Sequence, residues 1–240
     1  MDRGSVRFLN VRFRAYLFDV QGTLLDFFNP VSTAVSRYLK ANDITDVDAA
    51  EFTRAWRENY FHRVRCIPQS LAKWRRVQDE YETGFSDVCA RYGLPEPDRA
   101  AAEAVALSWQ RLEPWPDVRA GMARLREQAI TATLSNTDMS TSISLFKGLA
   151  IDMDAIFTAE LVGAFKPDPG VYERALQYLG LRPDEAAMVA CHPYDLEAAD
   201  SMGLGTIFVS RPLEYGDPAL AHEMALESVS QHVRTIGEID

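Results

Sequence analysis

The fold depends on the stretch YLFDVQGTLLD at residues 16–26. An apolar run leads to one acid, Asp19, and breaks at Gly22 before it resumes as a loop. Short β-rich runs that are bounded by Gly and Asp indicate buried strands, so Asp19 is expected where the first strand ends. Ligands bind at that edge of an open parallel sheet, where a carboxylate can act as a metal ligand, a general base or a nucleophile.

The composition limits the classes of protein to which the chain can belong. It has 240 residues, of which 47% are hydrophobic, and a net charge of −10. An acidic chain argues against a nucleic-acid surface, but local Arg or Lys side chains can still bind a small anionic partner. The N-terminus lacks the apolar core of a signal peptide, and no run approaches the ~18 apolar residues of a membrane span. We therefore expect a cytoplasmic protein that binds neither nucleic acid nor membrane.

A long helical segment interrupts a chain that otherwise alternates between strands and helices. The first strand is predicted at 14–20, and helices follow at 31–40, 49–64, 70–92 and 98–112. Later helices are predicted at 117–128, 137–149, 169–179, 195–202 and 219–227, and strands at 130–134, 155–158, 186–190 and 206–210. This alternation predicts βαβ units and a parallel sheet, that is, an α/β fold.

Polar residues of chemical interest follow several of the predicted strands. They are Asp19, Ser135, Asn136, Lys166, His192 and Asp195. Each is unremarkable alone, since a Ser-Asn pair after a strand is usually a helix cap and a Lys-Pro loop is usually solvated. At the carboxyl ends of parallel strands, however, they would converge on one crevice.

This set of motifs resembles the haloacid dehalogenase superfamily over nearly the whole chain. The first motif of that superfamily is matched by FDVQGTL at 18–24, the second by LSNT at 134–137, and the third by KPDP at 166–169 with Val171-Tyr172. The order and spacing of these motifs carry the resemblance.

The resemblance implies a domain organisation. It predicts a Rossmann-like, doubly wound core formed by residues 1–28 and 113–240. A helical cap at 29–112 would be inserted after the first strand. The resembling enzymes are commonly dimers, so a homodimer is also expected.

Two positions indicate the branch of the superfamily. Its phosphatases carry an acid two residues after the nucleophile and an Asp that binds Mg²⁺ further on, whereas this chain has Gln21 and Cys191-His192. Gln cannot act as a general acid, and His is a poor ligand for Mg²⁺. The branch that hydrolyses (S)-2-haloacids without a metal instead has an Asp three residues after the His192 position, as Asp195 is. Trp56-Arg57 looks like the pair in that branch that brings an arginine to the departing halide.

That branch implies a two-step reaction without metal or cofactor. Asp19 would displace the halide and form an ester, because a carboxylate nucleophile divides one difficult step into two. Lys166 would keep Asp19 ionised, since a nearby opposite charge favours the charged form. Asp195, assisted by His192, would then activate a water that attacks the ester. The product would be the inverted 2-hydroxyacid.

The remaining predicted site residues bind the substrate and the leaving group. Ser135 and backbone N–H groups would hold the substrate carboxylate. Arg57 and Asn136 would stabilise the departing halide. The predicted pocket residues are Gln21, His192, Tyr194 and Trp74.

Three departures leave the substrate open, namely Gln21, Ala190 and His192, where the branch usually has an aromatic residue, Ser and Asn. The favoured function is hydrolysis of a short L-2-haloacid. The same displacement could instead open a strained-ring amino acid at a C–N bond. A Mg²⁺-dependent phosphatase and a catalytically inactive binding protein are further alternatives.

Overall fold

The computed structural model describes residues 12–240, so the first eleven residues of the predicted core lie outside the described part of the chain. The strands are β1 (Ala15–Phe18), β2 (Leu25–Asp26), β3 (Glu113–Pro114), β4 (Ile130–Ser135), β5 (Ala155–Thr158), β6 (Ala186–Ala190), β7 (Gly205–Val209) and β8 (Gln231–Val233). The α-helices are α1 (Phe28–Ala41), α2 (Ala49–Arg65), α3 (Val77–Arg91), α4 (Arg99–Ala106), α5 (Val118–Arg126), α6 (Met139–Leu149), α7 (Pro169–Leu179) and α8 (Pro193–Ser201). Within residues 12–240, no helix has both the length and the apolar character needed to cross a membrane.

Six strands form one sheet in the order β5-β4-β1-β6-β7-β8. Every neighbouring pair is parallel, and β1 lies between β4 and β6, with Phe18 opposite both Thr133 and Val189. The carboxyl ends of these three strands therefore emerge side by side at one edge. The predicted doubly wound α/β core is confirmed.

Strand β1 is buried on both faces of the sheet. Its side chains alternate, as the pleat of a strand requires. Leu17 belongs to the hydrophobic cluster that contains Val171 of α7, and Phe18 to the cluster that contains Met122 of α5. Helices cover both faces of the sheet, which explains why β1 is apolar at every position up to Asp19.

The chain enters and leaves the helical insertion through a small two-stranded ribbon. Strands β2 and β3 pair antiparallel, with Asp26 opposite Glu113, and helices α1–α4 lie between them in the chain. Aromatic side chains fill the space between these helices, and the Tyr81 and Trp109 rings stack with centroids 4.1 Å apart. This is the region predicted as a cap, whose boundaries at 29 and 112 stay a prediction.

The prediction of one continuous helix over 70–92 is wrong. A 3₁₀ turn at Leu71–Lys73 precedes α3, and Trp74 lies between the two and stacks on Phe165 with centroids 4.5 Å apart. Helix α3 begins at Val77 because a carboxylate from another part of the chain, Asp138, accepts hydrogen bonds from its first backbone N–H groups. Similarly, the helix predicted over 98–112 ends at Ala106 and continues as a 3₁₀ turn at Leu107–Gln110.

The prediction of a helix over 219–227 is also wrong. The structure has short 3₁₀ turns at Pro218–Leu220 and Leu226–Ser228, joined by extended backbone from Ala221. Helix propensity is a weak signal that tertiary context overrides. Here the chain continues into β8, a three-residue edge strand that was not predicted because so short a run gives no clear alternation.

Asp138 should stabilise the docking of α3 more than an ordinary helix cap would. Its two carboxylate oxygens accept the N–H groups of Val77 and Gln78 at 2.8 and 2.9 Å, and all of these groups are buried. We expect Asp138→Ala to lower the free energy of unfolding in urea by about 2 kcal/mol, because two buried donors lose their acceptor. Asp98→Ala is the matched control, since Asp98 caps α4 at the exposed surface and its loss should cost no more than about 1 kcal/mol. Equal losses in the two variants would contradict this account.

Candidate active site

Asp19 lies directly beyond β1 and is held by three neighbours. Its side chain is buried, and Oδ1 accepts a hydrogen bond from Lys166 Nζ at 3.1 Å. Oδ2 accepts one from Thr23 Oγ1 at 2.8 Å and lies 3.1 Å from His192 Nδ1. Burial alone would raise the pKa of Asp19, but the charge of Lys166 and the contact with His192 outweigh it and hold the pKa well below its usual range. Asp19 is therefore an ionised carboxylate in a site that excludes most water.

Lys166 connects Asp19 to a second buried carboxylate. Its Nζ also contacts Asp195 Oδ2, and Tyr172 donates a hydrogen bond to the other oxygen of Asp195. Burial opposes a charged lysine, yet the two carboxylates raise the pKa of Lys166. Burial raises the pKa of Asp195 in spite of Lys166, and the charge of Asp19 adds to this effect. The raised pKa makes Asp195 a stronger base than an ordinary aspartate.

The two predicted residues at the end of β4, Ser135 and Asn136, have partners within the site. Asn136 accepts a hydrogen bond from Lys166 N at 2.7 Å and donates one to Lys166 O at 3.1 Å. Its amide therefore fixes the backbone that presents Lys166. Ser135 is buried and donates to Thr137 Oγ1 at 3.0 Å. Their roles toward the halide and the substrate carboxylate stay predictions.

Arg57 projects from α2 toward the sheet edge and is buried. Its Nη1 donates to Gln21 Oε1 at 2.8 Å and to Tyr81 Oη at 3.0 Å, and Tyr81 also donates to Gln21 Oε1 at 2.9 Å. Aromatic rings surround the guanidinium. Its central carbon, Cζ, is 4.6 Å from the centroid of the Phe61 ring and 4.8 Å from that of the Phe27 ring. Two buried donors, Arg57 Nε and Gln21 Nε2, have no hydrogen-bond acceptor among residues 12–240.

His192 lies between two carboxylates. Its Nε2 is 2.8 Å from Glu214 Oε1, while its Nδ1 faces Asp19. The sulfur of Cys191 is 3.5 Å from Glu214 Oε2 and 3.7 Å from His192 Nε2. Burial opposes a charged imidazole, but its neighbours, including Cys191 and Glu214, raise the pKa of His192 well above its usual value. Because burial also raises the pKa of the Cys191 thiol to about 11, Glu214 is the anion beside His192 at neutral pH.

The residues at this edge do not fit a metal well. Within residues 12–240, the cysteine, histidine and acidic side chains close enough together to hold an ion are Cys191, His192 and Glu214. The His192–Glu214 contact of 2.8 Å is shorter than the separation of about 3.3 Å between nitrogen and oxygen ligands of tetrahedral Zn²⁺. Mg²⁺ prefers oxygen ligands, and here the Lys166 ammonium already lies between the two aspartates.

Two cavities lie beside the polar residues at this edge of the sheet, and both are lined by Phe61, Arg65 and Tyr194. One, of about 310 Å³, is also lined by Asn136 and Lys166. The other, of about 450 Å³, is also lined by Arg57 and His192. Tyr194 stacks on the His192 ring with centroids 5.5 Å apart. Trp74, a predicted pocket residue, lines neither cavity and packs on Phe165 instead.

Four side chains of the site were not predicted, namely Thr23, Tyr81, Tyr172 and Glu214. Thr23 and Tyr172 lie inside the quoted motifs, so their hydroxyls could have been found there. Tyr81 lies within the helix predicted over 70–92, and its helical spacing does not show that its hydroxyl meets Gln21. Glu214 follows β7 by five residues, so its approach to His192 depends on the path of the tail.

Comparison with known proteins agrees with this arrangement. The haloacid dehalogenase-like hydrolase family matches residues 13–203. (S)-2-haloacid dehalogenase 4A of Burkholderia cepacia is 27% identical over 219 residues, which cover 88% of this chain and 90% of that protein. A crystal structure of a defluorinating L-2-haloacid dehalogenase is 30% identical, with a TM-score of 0.81 and coverage of 94% of this chain and 93% of that one. A phosphoserine phosphatase of Thermus thermophilus is 32% identical over 136 residues, 55% of each chain.

Lys166 should stabilise the folded chain most strongly at neutral pH. We expect Lys166→Met to lower the free energy of unfolding by about 3 kcal/mol or more near pH 7, because two buried carboxylates lose their shared cation. Folding lowers the pKa of Asp19, so the stabilisation from its carboxylate is present above its ordinary pKa and is lost as the pH falls. The difference between variant and wild type should therefore persist down to about pH 4 and shrink as the pH falls further.

Denaturant titrations at several pH values measure this difference. Lys40→Met is the control, because Lys40 is exposed at the end of α1 and its loss should change stability by no more than about 0.5 kcal/mol. If the free energy of unfolding of Lys166→Met is lower than that of the wild type by the same amount at every pH, the lysine acts through packing alone.

Proposed function

The chain belongs to the haloacid dehalogenase-like hydrolase family, and we propose that it hydrolyses a small L-2-haloacid to the inverted 2-hydroxyacid through an ester on Asp19. The observation that carries this proposal is the buried, ionised Asp19 carboxylate between Lys166 and His192, next to a second carboxylate, Asp195. Relatives named (S)-2-haloacid dehalogenase span nearly the whole chain and support the substrate class.

The first step is displacement at carbon. An oxygen of Asp19 attacks C2 of the substrate, and the C–halogen bond breaks with its electron pair going to the halide. A carboxylate is a weak nucleophile in water, so positioning and the removal of water must supply most of the rate. The buried position of Asp19 and the fixed contacts of both its oxygens favour both effects.

Arg57 and Gln21 are suited to hold the departing halide. Gln21 Oε1 accepts from both Arg57 and Tyr81, so the amide orientation is fixed and its Nε2 donor faces away from them. An anion would satisfy Gln21 Nε2 and Arg57 Nε, two of the buried donors that have no acceptor among the described residues. A guanidinium and N–H dipoles aimed at developing negative charge lower the barrier to its departure.

The second step is hydrolysis of the ester. Asp195 takes a proton from a water, and the hydroxide attacks Cγ of Asp19. The raised pKa of Asp195 and its contacts with Lys166 and Tyr172 support this role. Attack at Cγ leaves C2 untouched, so the configuration inverted in the first step is retained in the product.

A phosphatase is the competing function, because a phosphoserine phosphatase is among the relatives. Gln21 lies where such an enzyme has its general acid, and here its carbonyl is bound to Arg57 and Tyr81. Cys191-His192 lies where the magnesium-binding Asp would be. Halide release from L-2-chloropropionate that persists in a chelator supports the dehalogenase, whereas phosphate release that the chelator abolishes supports the phosphatase.

The first oxygen atom taken up from water should appear in the Asp19 carboxylate. We expect a single turnover in ¹⁸O water, with enzyme in excess over L-2-chloropropionate, to place label in Asp19 and not in lactate. Asp19→Asn should abolish halide release, whereas Asp26→Asn, an acid of the same stretch that bonds Asn29 outside the site, should retain it. Label that appears first in lactate would rule out the ester.

Arg57 should act mainly on halide departure. We expect Arg57→Lys to lower kcat for chloride release on the order of 10²-fold, because an ammonium cannot reproduce the forked contacts of a guanidinium. Arg63→Lys is the matched control from the same helix, since Arg63 donates to Glu80 and Asp87 and lines neither cavity. Equal effects of both substitutions on kcat would contradict the assigned role.

A further inference from the structure

The sequence predicted that His192 assists Asp195 in activating the water, whereas its partner Glu214 has had no role in the reaction so far. Three side chains lie in a row. Asp19 Oδ2 is 3.1 Å from His192 Nδ1, a close contact that is not a hydrogen bond, and His192 Nε2 is 2.8 Å from Glu214 Oε1. All three are buried, so the array is isolated from bulk water. It has the form of a carboxylate that orients an imidazole toward a reacting group.

The surroundings of His192 favour its protonated form. The groups that face it are Asp19, Glu214, the Cys191 thiol, the Tyr194 ring and His222, whose ring centroid is 5.5 Å away. Burial would raise the pKa of Glu214, yet His192 lowers it, and burial lowers the pKa of His222. Two carboxylates thus lie 3.1 and 2.8 Å from the imidazole nitrogens, and opposite charges this close favour the charged form of the ring.

The two steps of the proposed reaction differ in their need for a proton. A halide leaves as a stable anion, so displacement at C2 requires no acid. Collapse of the tetrahedral intermediate instead expels the C2 oxygen as an alkoxide, a strongly basic leaving group that general acid catalysis assists. A proton donor beside an oxygen of Asp19 is therefore useful in the second step alone.

We propose that His192, held by Glu214, is the general acid that protonates the C2 oxygen as it leaves Asp19. This inference rests on the proposed function and places the alkylated oxygen at Oδ2, which faces His192. Lys166 holds Oδ1, and Arg57 lines the same cavity as His192, so a substrate in that cavity lies on the Oδ2 side. Glu214 is then a positioning residue, since it acts through the imidazole.

The proton balance closes without a further reactant. Asp195 takes one proton of the attacking water, and the other remains on the oxygen bound to Cγ. As the bond between Cγ and the oxygen attached to C2 breaks, its electron pair goes to that oxygen, which takes the proton of His192 Nδ1. Asp19 is then a carboxylic acid and returns its proton to the neutral imidazole. The proton on Asp195 passes to solvent, which accounts for the one proton that haloacid hydrolysis releases.

Variants at His192 should separate the two steps. We expect His192→Asn to release one equivalent of halide at close to the wild-type rate and then to form the hydroxyacid about 10²-fold or more slowly. The Asp19 ester should accumulate and be visible by mass spectrometry of the intact protein. His232→Asn, the same substitution at an exposed position of β8 outside the site, should keep both rates.

Glu214→Gln tests the positioning role through pH. Loss of the carboxylate lowers the pKa of His192, so the hydroxyacid rate should fall at a lower pH than in the wild type as the pH rises. The double variant His192→Asn/Glu214→Gln removes both buried charges together, which keeps the test valid if His192→Asn alone leaves Glu214 uncompensated and does not fold. The double variant should show the same halide burst and the same accumulated ester.

Two results would overturn the inference. One is a halide burst slowed as much as hydroxyacid formation in both His192 variants, which would mean that His192 only positions the nucleophile. The other is wild-type hydroxyacid formation in the double variant. Neither can be confused with failure of the proposed function, because in that case the wild-type enzyme itself would form no ester on Asp19.

Discussion

The site depends on one constraint: every charge buried at this edge of the sheet must lie beside an opposite charge. Three buried carboxylates, Asp19, Asp195 and Glu214, lie among three buried cations, Lys166, His192 and Arg57. A buried charge without a partner is strongly destabilising, so each of these groups requires its neighbours. The fold meets this constraint because parallel strands β1, β4 and β6 end side by side, and the segments that follow β1 and β6 carry Asp19, His192 and Asp195 to one point.

The same constraint explains how the inserted helices contribute to the site. Helix α2 supplies Arg57, whose charge is buried among aromatic rings and held by Gln21 and Tyr81. These contacts join the insertion to the loop after β1. Tyr60 of α2 also donates to Asn136 O at 3.1 Å, and Asn136 in turn fixes the backbone of Lys166. The insertion therefore completes the site, with its polar groups bonded to residues at the edge of the sheet.

Much of this arrangement could be predicted from the sequence, for a physical reason. Buried strands and helices have periodic patterns, so β5, β6 and α7 have the bounds expected of them, and Asp19 lies where the first apolar run ends. Contacts between distant segments leave no such pattern. The break before α3 depends on Asp138, and the partner of His192 is Glu214 in the tail. Neither pairing follows from local spacing, so the helix over 70–92 was predicted too long and Glu214 was missed.

The substitution of His192 for the Asn usual in the resembling branch changes the chemistry available beside Asp19. An Asn side chain can hold an oxygen but has no proton to give up near neutral pH, whereas an imidazolium can donate one. Such a change brings a buried cation into the site and would be unfavourable alone. Glu214 supplies the compensating charge from a segment that follows β7, and its carboxylate lies 2.8 Å from His192 Nε2. A histidine at this position is therefore expected to require an acid in the tail.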